Sequence, residues 1–349
     1  MAASAGPGKT FVGRPVADTS VIPEWSYMED QNGIVYCTGR EASPGQYEAT
    51  ATYLACPEEL ATKWSIADGK TYRRVMYQGA DDERSKLDGL PSRAAEILLS
   101  KAFNPQACLR IGATALRPNN PNFAKISYWQ DVRDQRTEQF CKSLERACEL
   151  LDPTLIEINS LSLYGGAAFG LLAAGGKPVE DIDLLSHGPN NNVLGQVREL
   201  MTPFTWSDIN PFNNLTPRRQ RFKAKRWSTS QIRMLGDDFL SIDFKQARDA
   251  GASSLWDELP DTVDGEPFVG KMQVVDDSET FCISPAFRCE DKKGDIRTVL
   301  CSGYAYIGTA VAGDIITVLG SRIKDTGCIV VTQAQQHDLL PDFSNVPVS

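Results

Sequence analysis

LSLYGGAAFGLLAAGGKPVEDIDLLSHG, residues 161–188, decides the reading of the fold. An apolar strand-like run ends in Gly165-Gly166, a small-residue, helix-like run AAFGLLAA follows, and a second strand, DIDLLS, opens on Asp-x-Asp. Side chains on a strand alternate, so Asp181 and Asp183 point to one side while Ile182 and Leu184 face a core. Two carboxylates on one side make a clamp, and hard, oxygen-seeking Mg²⁺ is commonly held by one or two carboxylates plus substrate phosphates. At Gly165-Gly166 no Cβ stands between backbone and ligand, so a turn there can approach a triphosphate closely. A following helix would aim its N-terminal N–H groups at the anion.

Working outward, helical spacing begins at Asp134, where Phe140, Leu144, Ala147 and Leu151 recur at three and four residues until Asp152-Pro153 stops the run. Before it, residues 117–123 (RPNNPNF) read as loop, a helix is expected from Ser92 through AAEILLS, and residues from about 30 to 78 read as an antiparallel β unit. That unit is GIVYCT, a turn at Ser43-Pro44-Gly45, YEATATYLA, and TYRRVMY after Asp68-Gly69. Beyond the Asp-x-Asp strand come a helix at VLGQVRELM, a long basic stretch and a β run at residues 238–244, DFLSIDF. From about residue 265 the pattern is β again, with strands expected at TFCISPAF, TVLCSGYAYI, DIITVLGSRI and CIVVTQ, a spacing that suits a small barrel or sandwich. The expected architecture is an α/β (α+β) protein with a mixed-sheet core over residues 131–260. An α+β region (1–130) precedes it and a small β domain (261–349) follows.

The composition belongs to a soluble globular chain of 349 residues, 42% apolar and 23% charged, with no need of a disulfide or structural metal. Nine cysteines without zinc-type spacing read as buried free thiols in a reducing compartment. The first residues lack a basic segment followed by an apolar one, and no stretch is apolar enough to span a bilayer, so an intracellular, cytoplasmic protein without a membrane partner is expected. The net charge of −9 disfavours indiscriminate nucleic-acid binding, yet residues 215–248 hold nine Lys/Arg against three Asp, a local +6. Alternation in RFKAKRW puts Arg221, Lys223 and Lys225 on one side, with Phe222 and Trp227 available to stack on a base. Such a face can hold a triphosphate, RNA or another nucleic acid; the plainer reading is a solvated basic loop.

Gly165-Gly166, a spacer of fourteen residues, then Asp181-Ile-Asp183-Leu resembles the signature of the DNA polymerase beta-like nucleotidyltransferase superfamily, which includes poly(A) polymerases and aminoglycoside nucleotidyltransferases. More broadly, the order of DQNGIVYCTG, SPGQYEATATYLACP, GKTYRRV, the glycine and Asp-x-Asp centre, RRQRFKAKRW and VVDDSETFCISPAFR is similar to an uncharacterised group of predicted nucleotidyltransferases known best from archaea. The resemblance implies a polymerase-beta-like core, transfer of a nucleoside monophosphate from a nucleoside triphosphate to an acceptor hydroxyl, and Mg²⁺ or Mn²⁺ as cofactor. It also implies a third carboxylate from a later strand, for which Asp243 is the candidate and Asp238 the rival. The alternative is a nucleic-acid-binding or regulatory protein on an inactive core, with the C-terminal β domain serving as an oligonucleotide-binding barrel.

The remaining candidates are weaker. His187, beside a Gly-Pro turn, fits a structural role better than a phosphate contact. GPGKT at residues 6–10 has Ala3 where a phosphate loop has its first glycine. Cys141 and Cys148 have the seven-residue spacing of a helix core face.

Overall fold

A computed structural model of the chain describes residues 22, 24–43, 45–74, 109–112, 116–118, 120–132, 134–135, 137–151, 158–173, 181–187, 231–234, 240–248, 253–259, 265–302, 306–332 and 338–341. Over these residues the protein is mixed α+β and rich in strand, with three sheets. The expected helices at Ser92 and VLGQVRELM, and the segment carrying Arg221, Lys223 and Lys225, lie outside the described residues.

The first sheet grows from the expected N-terminal β unit. Strands β1 (Tyr27–Asp30), β2 (Ile34–Ser43) and β3 (Gln46–Ala55) form an antiparallel meander, continued by β5 (Thr71–Arg74) and β4 (Lys63–Ser65). The first turn is built by Asp30, whose Oδ1 accepts the backbone N–H groups of Asn32 at 2.8 Å and Ile34 at 3.0 Å. Strands β6 (Leu109–Gly112) and β7 (Leu116–Pro118) add to β3 and β1. Part of the expected loop at 117–123 is therefore strand. The rest includes a 3₁₀ turn, Pro121–Ala124, capped by the Asn120 side chain.

In the second sheet the order is β11 (Gln231–Met234), β12 (Leu240–Ala247), β10 (Asp181–His187), β8 (Leu161–Leu163). On one face, Ile182, Leu184, Ile242 and Phe244 pack against two helices, α1 (Ile126–Asp131) and α2 (Glu138–Leu151). The expected helical positions Phe140, Leu144, Ala147 and Leu151 are all buried there, and Cys141 is core as its spacing indicated. Asp134 and Thr137 start the helix reciprocally, each side-chain oxygen accepting the other's backbone N–H at 2.8 Å.

AAFGLLAA is not the expected helix. A single turn, α3 (Gly165–Ala168), is followed by a strand, β9 (Leu171–Ala173). The break is at Gly170, held at φ +75° with a Phe123 ring carbon 2.6 Å from where a Cβ would stand, so the chain reverses instead of coiling on. Strand β9 then leaves the second sheet and pairs with β4 as the end strand of the first.

The third sheet closes on itself. Strand β13 (Gly265–Asp276) pairs with both β14 (Ala286–Asp291) and β16 (Ile315–Ile323), β15 (Ile296–Ser302) bridges β14 to β17 (Ile329–Thr332) in parallel, and β17 returns to β16. This is the small barrel among the two expected forms, with β18 (Asp338–Pro341) added to β16. Met272, Val274, Phe287, Val299, Ile316 and Val331 fill it. TFCISPAF is strand only at its end. Asp277 and Glu279 carbonyls accept from Thr280 and Cys282, turning the run so that Phe281, Cys282 and Ile283 are all buried instead of alternating.

Outside the barrel, the face of β14 and β15 is covered. Leu255 and Trp256, from a 3₁₀ turn (Leu255–Glu258), pack on Ala286 and Leu300, while Glu258 accepts from Arg288 and Thr298 at 2.5 Å each. The three regions meet at Arg248, whose guanidinium donates to Glu24, to Glu279 and to the Ser284 carbonyl. No described helix is long and apolar enough to cross a membrane. All eight described cysteines are free thiols, and burial pushes those of Cys37 and Cys289 up to about 12.

Candidate active site

Strands β10 and β12 run parallel with Asp183 opposite Asp243, Asp181 opposite Ser241 and Leu185 opposite Lys245. Paired residues share a face, so the three acids named from the sequence lie on the side of the sheet away from α2. Asp181 is at the exposed mouth of β10, Asp183 is partly covered and Asp243 is only 5% exposed.

Asp183 is held by the glycine turn. Its carbonyl accepts the Tyr164 N–H at 3.1 Å, and a Cβ on Gly165 would stand 2.2 Å from its Oδ2. Gly165 also has φ +74°, a conformation that costs other residues roughly 1–2 kcal/mol. The carboxylate thus rests against bare backbone. Gly165→Ala should lower stability by about 1–2 kcal/mol and swing Asp183 off the turn, cutting any activity of the site at least ~10-fold. Thermal melts and turnover check this; an unaltered variant would show that the close approach is not needed.

Burial, then the negative charges of Asp181 and Asp243, pushes the Asp183 carboxyl up to about 7, against the weaker pull of Lys245 and Arg74. The crowded oxygens are hard donors of the kind Mg²⁺ or Mn²⁺ takes. Among the described residues no three His, Cys, Asp or Glu already form a metal-holding group.

Lys245 was counted from the sequence with the basic stretch, but it is fully buried and donates to Asp243 Oδ1 at 2.5 Å. Its Nζ also lies 5.6 Å from the Tyr164 ring centroid, and Tyr164 in turn packs on Trp25. Arg248, likewise counted there, is the buried junction residue. Both are committed inside the protein because each has a carboxylate partner there, so neither belongs to a solvated basic face. Alternation along β12 placed Lys245 beside Asp243 from the start, a signal the charge count obscured. Lys63 and Arg74, from the first sheet, also act on the acids, and nothing local in sequence pointed to them. Gly166 lies under Tyr53, whose hydroxyl is 3.0 Å from where its Cβ would be. His187 sits outside the cluster, its Nε2 2.8 Å from Ser162 Oγ on the neighbouring strand, in a structural pairing.

Comparison with protein-family models, curated proteins and solved structures returns no match. The functional reading rests on the site itself.

Proposed function

We propose that the protein is a metal-dependent nucleotidyltransferase with a polymerase-beta-like core, in which an acceptor hydroxyl attacks the α-phosphate of a nucleoside triphosphate, gains the nucleoside monophosphate and releases pyrophosphate. The observation that carries this is the pairing of Asp183 with Asp243 across parallel strands, with Asp181 two residues upstream and the Gly165 turn pressed on Asp183. Asp181 and Asp183 would hold Mg²⁺ or Mn²⁺, their like charges being opposed only weakly by the cations around them. When bound, such an ion supplies charge stabilisation at the reacting phosphate and lowers the pKa of an attacking hydroxyl. Asp243, held by Lys245, would be the third carboxylate beside that ion. Gly165 and Gly166 let Asp183 and Tyr53 close on the turn where a triphosphate was expected, so they would position the acid that holds the metal, and Arg221, Lys223 and Lys225 are the proposed anion-holding face of the basic segment.

One observation favours a second reading, an inactive core that binds nucleotide without transferring it: the ammonium of Lys245 already occupies Asp243 Oδ1. An oligonucleotide-binding barrel gains no comparable support, because such barrels bind along their second and third strands, and that face is covered here. Incubating the protein with each labelled triphosphate, Mg²⁺ or Mn²⁺ and a pool of RNA, protein and small molecules should give a labelled product. The Asp181→Ala/Asp183→Ala double variant should give none. Equal labelling by both, or none by wild type, sinks the transferase; metal-dependent nucleotide binding without product selects the second reading.

A further inference from the structure

The charges around Asp181 and Asp183 include a lysine from the other sheet. Lys63 opens β4, which is hydrogen-bonded between β5 and β9, with Lys63 opposite Tyr72 on one side and Ala173 on the other. Strand β9 follows α3 and the reversal at Gly170, and the Gly170 carbonyl accepts the Ile66 N–H at 3.0 Å. The strand bearing Lys63 is therefore fastened to the same short segment that presses Gly165 on Asp183. Ala173, with its single methyl, leaves the lysine stem room along the sheet.

The ammonium of Lys63, half-buried, differs from the cations of Lys245 and Arg248. Lys245 and Arg248 are in contact with carboxylates, whereas the Lys63 ammonium makes no hydrogen bond or ion pair among the described residues, although Asp181 and Asp183 are the negative charges that act on it. It faces the acids without closing on them to within the 4.0 Å of an ion pair. Burial holds its pKa below the ordinary lysine value, with the two acids opposing. Holding a partly buried cation short of its counter-charges is unfavourable unless something charged comes between them. Arg74 lies on the same face, two residues beyond Tyr72, and adds a second positive charge near Asp183. Acids on one side and cations on the other suit a ligand with a cation at one end and anionic oxygens at the other, which is the charge pattern of a metal–polyphosphate.

The geometry points to Lys63 as the cation that holds the polyphosphate tail of a nucleotide whose metal sits at Asp181 and Asp183. The assignment rests on the transferase reading and adds to it a substrate contact from the first sheet. A purely structural Lys63 would instead balance the acids.

The test is calorimetric, on the full chain, with Mn²⁺ alone and with inorganic tripolyphosphate in excess Mg²⁺. Lys63→Met should weaken tripolyphosphate about tenfold or more, the size of one charge-assisted contact, while Mn²⁺ binds as well as to wild type or better. Lys63→Arg should stay within about threefold of wild type, and Lys63→Gln should match Lys63→Met if the latter folds poorly. Wild-type tripolyphosphate affinity in Lys63→Met and Lys63→Gln, with Mn²⁺ binding intact, overturns the assignment and leaves the transferase standing. Tripolyphosphate binding that needs Lys63, in a protein that labels no acceptor, supports the lysine and removes the transferase. No tripolyphosphate binding by wild type removes the lysine assignment outright.

Discussion

Asp183→Asn should abolish the proposed nucleotide transfer, by about 10³-fold or more if the carboxylate holds the metal, and yet melt higher than wild type in alkaline, chelator-treated buffer. The sign follows from the site's crowding. Burial and the neighbouring acids raise the Asp183 carboxyl from 3.8 to about 7 in the fold. The protonated acid is therefore the form the fold prefers. Its stabilising contribution is complete below the unfolded value and is lost as pH rises through about 7. Above that, the charged Asp183 weakens the metal-free protein by on the order of 2 kcal/mol, less than the full linkage because three acids share the effect. Asparagine keeps the shape without the charge. Metal-free melts of the two proteins should differ at pH 8 and converge only below the unfolded value of 3.8, and Mn²⁺ should raise the wild-type midpoint alone. A variant that melts lower than wild type at pH 8 would mean that Asp183 is already balanced by its neighbours.

Arg248→Leu should cost about 3–5 kcal/mol, the penalty of stranding buried charge. The guanidinium of Arg248 reaches Glu279 from Nε at 2.9 Å and Nη2 at 2.6 Å, meets Glu24, and donates to the Ser284 carbonyl at 2.8 Å. Glu24 and Glu279 have side chains only 6% and 10% exposed, so neither can turn to water when the cation goes. Lysine cannot reproduce the fork, so Arg248→Lys should recover only part of the loss. Adding Glu24→Gln and Glu279→Gln to Arg248→Leu should restore more than Arg248→Lys does, because it is the unpaired charges that cost most. Urea unfolding of the four proteins gives the comparison; a single variant within 1 kcal/mol of wild type would show that the junction is not held by this network.

What was legible in the sequence was whatever one element determines by itself. The α2 positions Phe140, Leu144, Ala147 and Leu151 announced a buried face, and Asp181-Ile-Asp183 announced a strand with acids on one side. Asp243 was readable as a strand acid, but only register puts it opposite Asp183. The misreadings fall where tertiary contacts overrule composition. AAFGLLAA has small, helix-compatible residues, yet Phe123 against Gly170 turns it into a hairpin-like reversal. TFCISPAF has strand-like residues, yet it is wedged between regions with consecutive side chains buried. The Lys245–Asp243 pair was available from alternation and was masked by counting charge over a long window. Lys63 was not available at all, since the β4–β9 pairing that brings it to the acids joins segments with no local relation.

That same pairing sets an order of events during synthesis. Until Leu171–Ala173 has emerged, β4 presents an uncovered edge to solvent, bearing a lysine and a tryptophan on three residues. Edges of this kind recruit foreign strands, and a short one bearing a charge is less prone to do so. A nascent chain stopped after α2 would thus carry a nearly complete first sheet whose last seam is open, and the seam closes only when the glycine turn is in place. Sealing of the first sheet therefore comes before completion of the acid site, which waits for β10 and β12, so a ribosome stalled before β9 leaves neither.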